Sequence, residues 1–272
     1  MPAARTPAAA RSNPPAYYGT VPRRPKLLPL PDSLHRQWFR RRLLRWYKHH
    51  GRALPWRETR DPYRILVSEI MLQQTQVDRV LPKYEEWLDR YPDFATLADA
   101  DPEEVVETWY PLGYNIRPRR LHDIAREAVR SHGGRLPDDE ETLRSFRGIG
   151  PYTAGAVRSF AFGRRAAILD TNVARVLFRV FVGRGEPKSH AMNRHLWDLS
   201  WTLLPIQRNV FDFNQALMDF GAMVCSARKP MCDTCTMAAR CRAVARRGGP
   251  VRTTVRKTRK TRSDRLRTPH TT

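Results

Sequence analysis

Four cysteines are the whole thiol content of this 272-residue chain, and all of them fall between positions 225 and 241. Cys225, Cys232, Cys235 and Cys241 are separated by gaps of six, two and five residues. That clustering does not suit a disulfide framework and points instead to thiolates that converge on a metal from one short loop. Such a loop can enclose a four-thiolate zinc ion or a cubane iron–sulfur cluster, and the spacing alone leaves both open.

Upstream of that loop the apolar residues recur with a helical period. Leu34, Trp38, Phe39, Leu43, Leu44 and Tyr47 return at three- and four-residue steps, which predicts an amphipathic helix with Arg40, Arg41, Arg42 and Arg45 mostly toward solvent. After a loop from Gly51 to Thr59, Asp61 and Pro62 supply an N-cap and a first-turn proline for a helix expected to run to about Gln76. Further helices are expected near 78–90, 94–99, 102–109, 117–132, 139–145, 151–162, 170–183, 190–204 and 211–222. Strand signals are weak and no repeat shows, so the expected fold is all-α.

The net charge of +22 is a footprint for a polyanion, nucleic acid or an acidic membrane. Residues 1–33 carry a net +4 and residues 242–272 a net +10, which leaves +8 for the body. The proline-rich start and the Arg/Lys/Thr-rich end read as disordered basic arms. No apolar run reaches the roughly 18–20 residues that a bilayer span needs. The start Met1-Pro2-Ala3-Ala4-Arg5 has no secretory apolar stretch, so the expected location is cytoplasmic, with an organelle transit peptide as the alternative.

Three further places carry chemistry. Phe146-Arg147-Gly148-Ile149-Gly150-Pro151-Tyr152-Thr153-Ala154 sets two glycines between helical patterns, where backbone N–H groups and a helix N-terminus can meet an anion; a plain interhelical turn is the alternative. Glu69 shares a helix stripe with Ile65, Leu66, Leu72 and Gln73, and a carboxyl on an apolar face has its pKa raised and can hold a proton, unless it turns out to solvent. Asp170 follows Ile168-Leu169 and can cap the helix that starts at Thr171, which does not prevent a catalytic role. Two such carboxylates suit glycosidic cleavage, in which one assists the leaving group and the other steadies an oxocarbenium-like sugar.

The cysteine spacing, and the Gly-x-Gly hairpin followed about 20 residues later by Asp170, resemble the helix-hairpin-helix DNA glycosylases, the superfamily of endonuclease III. Leu54-Pro55-Trp56-Arg57 and Ser68-Glu69-Ile70-Met71-Leu72-Gln73-Gln74-Thr75-Gln76-Val77 resemble its adenine glycosylase branch more closely. The resemblance covers roughly residues 34–241. It implies a two-lobed all-α fold, with a six-helix barrel over about 58–165 and a second lobe from 34–57 and 166–241 that holds a [4Fe–4S] cluster on Cys225, Cys232, Cys235 and Cys241.

For the site, the resemblance implies that Glu69 protonates adenine, Asp170 stabilises C1′ and Asn172 is its polar neighbour. Tyr152 stands where bifunctional relatives have a lysine, so no Schiff base is expected and the reaction should be monofunctional. Gln73 and Gln74 match the region that probes the space left by the flipped base, and Trp56 and Arg57 the pocket lining, with core packing as the alternative for Trp56. Gly148, Ile149 and Gly150 match the phosphate-gripping hairpin; Arg228, Lys229, Arg240 and Arg242 match the cations of the cluster loop. The implied partner is duplex DNA with a mismatch or an oxidised base, bound by a monomer.

Three departures bear on specificity. The chain ends in a basic tail where typical adenine glycosylases continue into a domain that reads 8-oxoguanine, Asn115 replaces a second aromatic, and Thr171 replaces a common glycine. A thymine (or uracil)–guanine mismatch glycosylase and a non-catalytic iron–sulfur DNA-binding protein are the alternatives.

Overall fold

The computed structural model describes residues 29–206 and 208–248, and every regular element among them is helical. Most of the two basic arms lies outside the described residues. Where the tail is described it is ordered at its start, because Arg242–Arg246 forms a short helix, α12, against the segment Phe178–Val182.

The first helix, α1 (Ser33–His50), is capped by Asp32, whose carboxylate accepts from the His35 N–H at 2.7 Å. It docks on α11 (Val210–Asp219), far away in the chain, by burying Phe39, Leu43 and Trp46. Phe39 meets Phe181 and Phe213 edge-on at 5.0 and 6.3 Å. Two expectations for this helix need correction. Leu34 is exposed, and Arg40 turns inward: it donates to the carbonyls of Thr202, Leu203 and Leu204, where α10 (His190–Leu203) ends. A guanidinium there satisfies carbonyls that a helix end leaves open.

Helix α2 (Pro62–Met71) starts as the Asp61-Pro62 signal predicts, with Asp61 accepting from the Tyr63 N–H at 2.8 Å. It is buried all round from Ile65 to Met71, packed against α3 (Val77–Arg90), α6 (Ile116–His132) and α8 (Pro151–Phe160). It does not continue to Gln76. The chain leaves the helix after Met71, Gln74 takes φ 58°, and Gln73 therefore sits in a turn and not on the helical stripe. The cause is a tertiary contact: the Arg117 side chain takes the carbonyls of Ile70, Met71 and Gln73.

Between these, α4 (Phe94–Asp99) and α5 (Pro102–Trp109) pack on α6, and α7 (Glu140–Ser145) packs on α8. Helix α9 (Thr171–Leu177) packs on α10 and α11. Neither α9 nor α11 simply ends; each widens into a π-helical turn, Phe178–Val182 and Phe220–Val224, which shortens the α-helices expected over 170–183 and 211–222. The second π turn brings Gly221 against the backbone of α9, where a Cβ would lie 2.8 Å from Asn172 Cβ and 2.9 Å from its carbonyl oxygen. No helix among the described residues is long and apolar enough to cross a membrane.

Alanine in place of a helical glycine ordinarily stabilises by up to about 1 kcal/mol. At Gly221 the clash with backbone should reverse that sign, because overpacking costs roughly 1–3 kcal/mol. Thermal unfolding of Gly221→Ala should therefore show a lower Tm than wild type, and a higher Tm would mean that α9 and α11 do not approach as described.

Candidate active site

A cleft of about 910 Å³ opens between the end of α2 with its following turn, the start of α8, the start of α9 and α11. Trp56, Arg57, Glu69, Gln73, Gln74, Tyr152, Asp170 and Asn172 all line it, although they come from four separate stretches of chain.

Glu69 is 4% exposed. Burial pushes its carboxyl up to about 7, the Tyr152 hydroxyl pulls it down, the charge of Asp170 raises it and that of Arg57 lowers it. A group poised there holds its proton near neutral pH and can still release it. The Tyr152 hydroxyl donates a hydrogen bond to Met218 Sδ at 3.3 Å. Burial, followed by the charges of Glu69 and Asp170, drives the Tyr152 phenol well above its ordinary value, so this hydroxyl stays a neutral donor.

Asp170 is the N-cap of α9 and also a wall of the cleft. One of its oxygens accepts from the Val173 N–H at 2.7 Å and the other from Asn172 Nδ2 at 3.1 Å. Asn172 in turn accepts from Arg175 Nη2 at 2.6 Å, and Arg175 donates onward to the carbonyls of Gly221 and Cys225, both at 2.8 Å. A single guanidinium thus links the polar pair of the cleft to the first residue of the cysteine loop.

Sequence reasoning missed the groups that hold these in place. Asp219 is fully buried; it accepts from Arg57 Nη1 and Nη2, both at 2.8 Å, and from the side chain and backbone N–H of Arg52. Burial raises its carboxyl, but the hydrogen bonds and charge of Arg57, with those of Arg52, outweigh that and hold it below the usual carboxylate range. Gln215 also lines the cleft, 2% exposed, with Oε1 unpartnered among the described residues. Asp219 and Gln215 lie more than 140 positions from Arg57 and Glu69, on a helix whose pattern only reads as core. Trp56 serves both readings offered for it: it packs edge-on against Tyr84 at 5.2 Å and lines the cleft.

The Gly148–Gly150 hairpin lies outside the cleft wall. Gly148 has φ 107°, a conformation that favours glycine, and Gly150 is the N-cap of α8 with Pro151 following. Among the described residues the Gly148 and Gly150 amides have no backbone acceptor, which leaves them open to an anion. Ile149 differs: its side chain is buried and its N–H donates to the Phe146 carbonyl at 3.1 Å, so it anchors the turn.

The four cysteines carry free thiols and line one cavity, together with Arg179, Phe220 and Met231. Among the described residues no three potential ligands are placed to hold one metal ion. Four soft sulfur donors around one cavity are a donor set that fits a thiolate-bound metal centre, either a four-thiolate ion or an iron–sulfur cluster. Two donors already face the sulfurs: Arg179 Nη1 is 3.5 Å from Cys225 Sγ, and the Met237 N–H donates to Cys235 Sγ at 3.4 Å. Arg228 and Lys229 are exposed on the loop, while Arg240 lies over the Trp38 ring at 5.2 Å.

Residues 67–200 match the family model described as "HhH-GPD superfamily base excision DNA repair protein". A solved structure of a thermostable thymine-DNA glycosylase superposes with a TM-score of 0.73 at 34% identity, over 79% of this chain and 100% of that one. The chain belongs to this superfamily. Within it, the chain is 44% identical over 219 residues to the adenine DNA glycosylase of Rattus norvegicus, covering 77% of this chain and 42% of that protein. It is 35% identical to the thymine/uracil-DNA glycosylase of Pyrobaculum aerophilum, over 77% of this chain and 92% of that one. The chain therefore spans less than half the length of the mammalian adenine glycosylase it matches.

The burial of Glu69 has a thermodynamic signature. With an ordinary value of 4.5 and a folded value of about 7, the folded state holds the extra proton, so this group's contribution to stability falls as pH rises from 4.5 to about 7. The loss should reach on the order of 3 kcal/mol above that window. Glu69→Gln should then melt higher than wild type at about pH 8 and converge with it near pH 4, whereas a pH-independent difference would show that the carboxyl is not perturbed.

Proposed function

We propose that this helix-hairpin-helix glycosylase removes adenine mispaired with guanine or 8-oxoguanine from duplex DNA, by hydrolysis of the N-glycosidic bond, and leaves an abasic site. The observation that carries the reading is that Glu69, with its carboxyl raised to about 7, shares one cleft with Asp170. A carboxylic acid still protonated at neutral pH suits purine N7, a site that thymine lacks, and the higher identity to adenine glycosylases than to the thymine/uracil enzyme points the same way.

In this reading the target nucleotide leaves the stack, at a cost of a few kcal/mol that is least at a mismatch. Glu69 gives its proton to N7, the C1′–N9 pair moves to N9, and adenine departs neutral. Asp170 stabilises the positive sugar from its place at the end of α9. Water adds to C1′ and returns a proton to Glu69, which balances the hydrolysis. Asn172 steadies Asp170, Arg57 and Trp56 line the base pocket, and the unpartnered Gln215 Oε1 is available to an exocyclic amino group. Tyr152, a neutral phenol, offers no amine for a Schiff base, so strand scission should be slight.

The hairpin amides of Gly148 and Gly150, with exposed Arg228 and Lys229, would meet the phosphates, and Gln73 and Gln74 the gap in the duplex. Cys225, Cys232, Cys235 and Cys241 would hold a [4Fe–4S] cluster that supplies a structural core to the loop. The helices packed around α2 and those packed around α1, α9 and α11 would act as the barrel and cluster lobes.

Single-turnover assays on A·G, A·8-oxoguanine, T·G and U·G duplexes, with alkali added to reveal abasic sites, test the assignment. Adenine release is expected, falling as pH rises through about 7 as Glu69 loses its proton. Glu69→Gln and Asp170→Asn should each slow it by at least about 100-fold. Release of thymine instead would move the protein to the mismatch enzymes, and unchanged rates in both variants would sink the mechanism.

A further inference from the structure

The Tyr152 hydroxyl has a single proton to donate and two acceptors that compete for it. It donates to Met218 Sδ at 3.3 Å, and the same hydroxyl faces the Glu69 carboxyl, whose pKa it pulls down. A thioether sulfur is a weak acceptor, whereas an ionised carboxylate accepts a charge-assisted hydrogen bond roughly twice as strong as a neutral one. An ionised Glu69 would therefore win the hydroxyl from the sulfur, and a hydroxyl turned to Met218 belongs with a Glu69 that still holds its proton. Tyr152 remains a neutral phenol in either arrangement, because burial and the charges of Glu69 and Asp170 keep its own pKa well above the ordinary value.

Met218 is held where this competition needs it. It lies half-buried on the cleft wall, on α11, next in the chain to Asp219, and the hydrogen bonds of Asp219 to Arg52 and Arg57 fix the backbone that carries the sulfur. The charged groups around Glu69 are engaged elsewhere. Asp170 accepts from the Val173 N–H and from Asn172, Arg57 and Arg52 donate to Asp219, and Arg117 of α6 donates to the carbonyls that follow α2. On α3, Lys83 pairs with Glu86, and Asp78 lines the cleft from an exposed position. Tyr152 is thus the donor whose choice of acceptor changes with the charge of Glu69, and Met218 is its alternative.

We propose that Met218 is a positioning residue for the reaction: its sulfur draws the Tyr152 hydroxyl away from Glu69, so that the acid keeps its proton until adenine takes it, and the hydroxyl turns to the carboxylate once the proton has gone. The inference rests on the glycosylase reading above. The phenol O–H bond stays intact throughout and only its acceptor changes; the proton that leaves Glu69 goes to N7, and the attacking water returns one. A hydrogen bond to the ionised form lowers a carboxyl's pKa, so an acceptor that diverts this bond raises it. Leucine fills nearly the volume of methionine without an acceptor. In Met218→Leu the hydroxyl has Glu69 alone to serve, and Glu69 should ionise at lower pH.

The test titrates the full chain by carbon-13 NMR of its glutamate carboxyls, with the Glu69 signal identified by its loss in Glu69→Gln, beside the pH profile of single-turnover adenine release from an A·8-oxoguanine duplex. In Met218→Leu both midpoints should fall by about half a pH unit or more, the scale of one neutral hydrogen bond. Tyr152→Phe removes the shared donor, and in that background Met218→Leu should leave the Glu69 midpoint where it was. A midpoint that stays or rises in Met218→Leu would overturn the proposal. So would an equal fall with phenylalanine at 152, which would reduce the methionine to packing. The carboxyl titration needs no turnover: failure of the wild-type protein to release any base would overturn the glycosylase reading, while the NMR midpoints would still judge whether Met218 diverts the hydroxyl.

Discussion

One buried carboxylate decides where the walls of the cleft meet. Asp219 has no exposure to solvent and accepts hydrogen bonds from both Arg52 and Arg57, two residues of the loop that leads out of α1. Removing either arginine would leave the other to satisfy a charge in a site that water does not reach, and the penalty for an unpaired buried charge exceeds the gain from most single contacts. The loop is therefore fixed to α11, Trp56 and Arg57 are fixed with it, and the depth of the cleft over Glu69 follows. The perturbed acid depends on this closure, because its carboxyl rises by desolvation first and by neighbouring charge only second.

The signals that could be read from sequence were those whose physics is local. Asp61 before Pro62, Asp170 before Thr171 and the alternation along α1 each act within a turn or two, and the helices appear where they predict them. The four cysteines were legible because their spacing alone confines them to one loop, and the structure places them around one cavity. Glu69 was legible as a carboxyl on an apolar stripe, and its burial follows from that stripe being enclosed on all sides. The end of α2 was not legible. Leu72, Gln73 and Gln74 all favour helix, and what overrides them is Arg117, more than 40 residues away. Asp219, Arg52 and Gln215 escaped for the same reason, since nothing near each of them in sequence distinguishes a buried polar anchor from an ordinary helical residue.

The link from Asp170 through Asn172 and Arg175 to the Cys225 carbonyl gives the cysteine loop a mechanical connection to the cleft. Gly221 makes that link short enough to form, because it lets the π turn after α11 lie directly on Asn172. A disturbance of the loop is thereby felt at the carboxylate of the cleft through three hydrogen bonds and a helix contact, with no mobile segment between them.

Arginine performs much of this internal work. Arg40, Arg117, Arg175 and Arg179 all spend their guanidinium groups on backbone carbonyls, at helix ends and around the cysteine loop. The charge that a polyanion meets is accordingly smaller than the +22 of the formula. Counterion release from a bound duplex scales with the cations that actually reach phosphates. A binding isotherm measured against salt would count the outward-facing arginines and lysines, and its slope would be shallower than the composition suggests, because part of the protein's basicity is used as scaffolding.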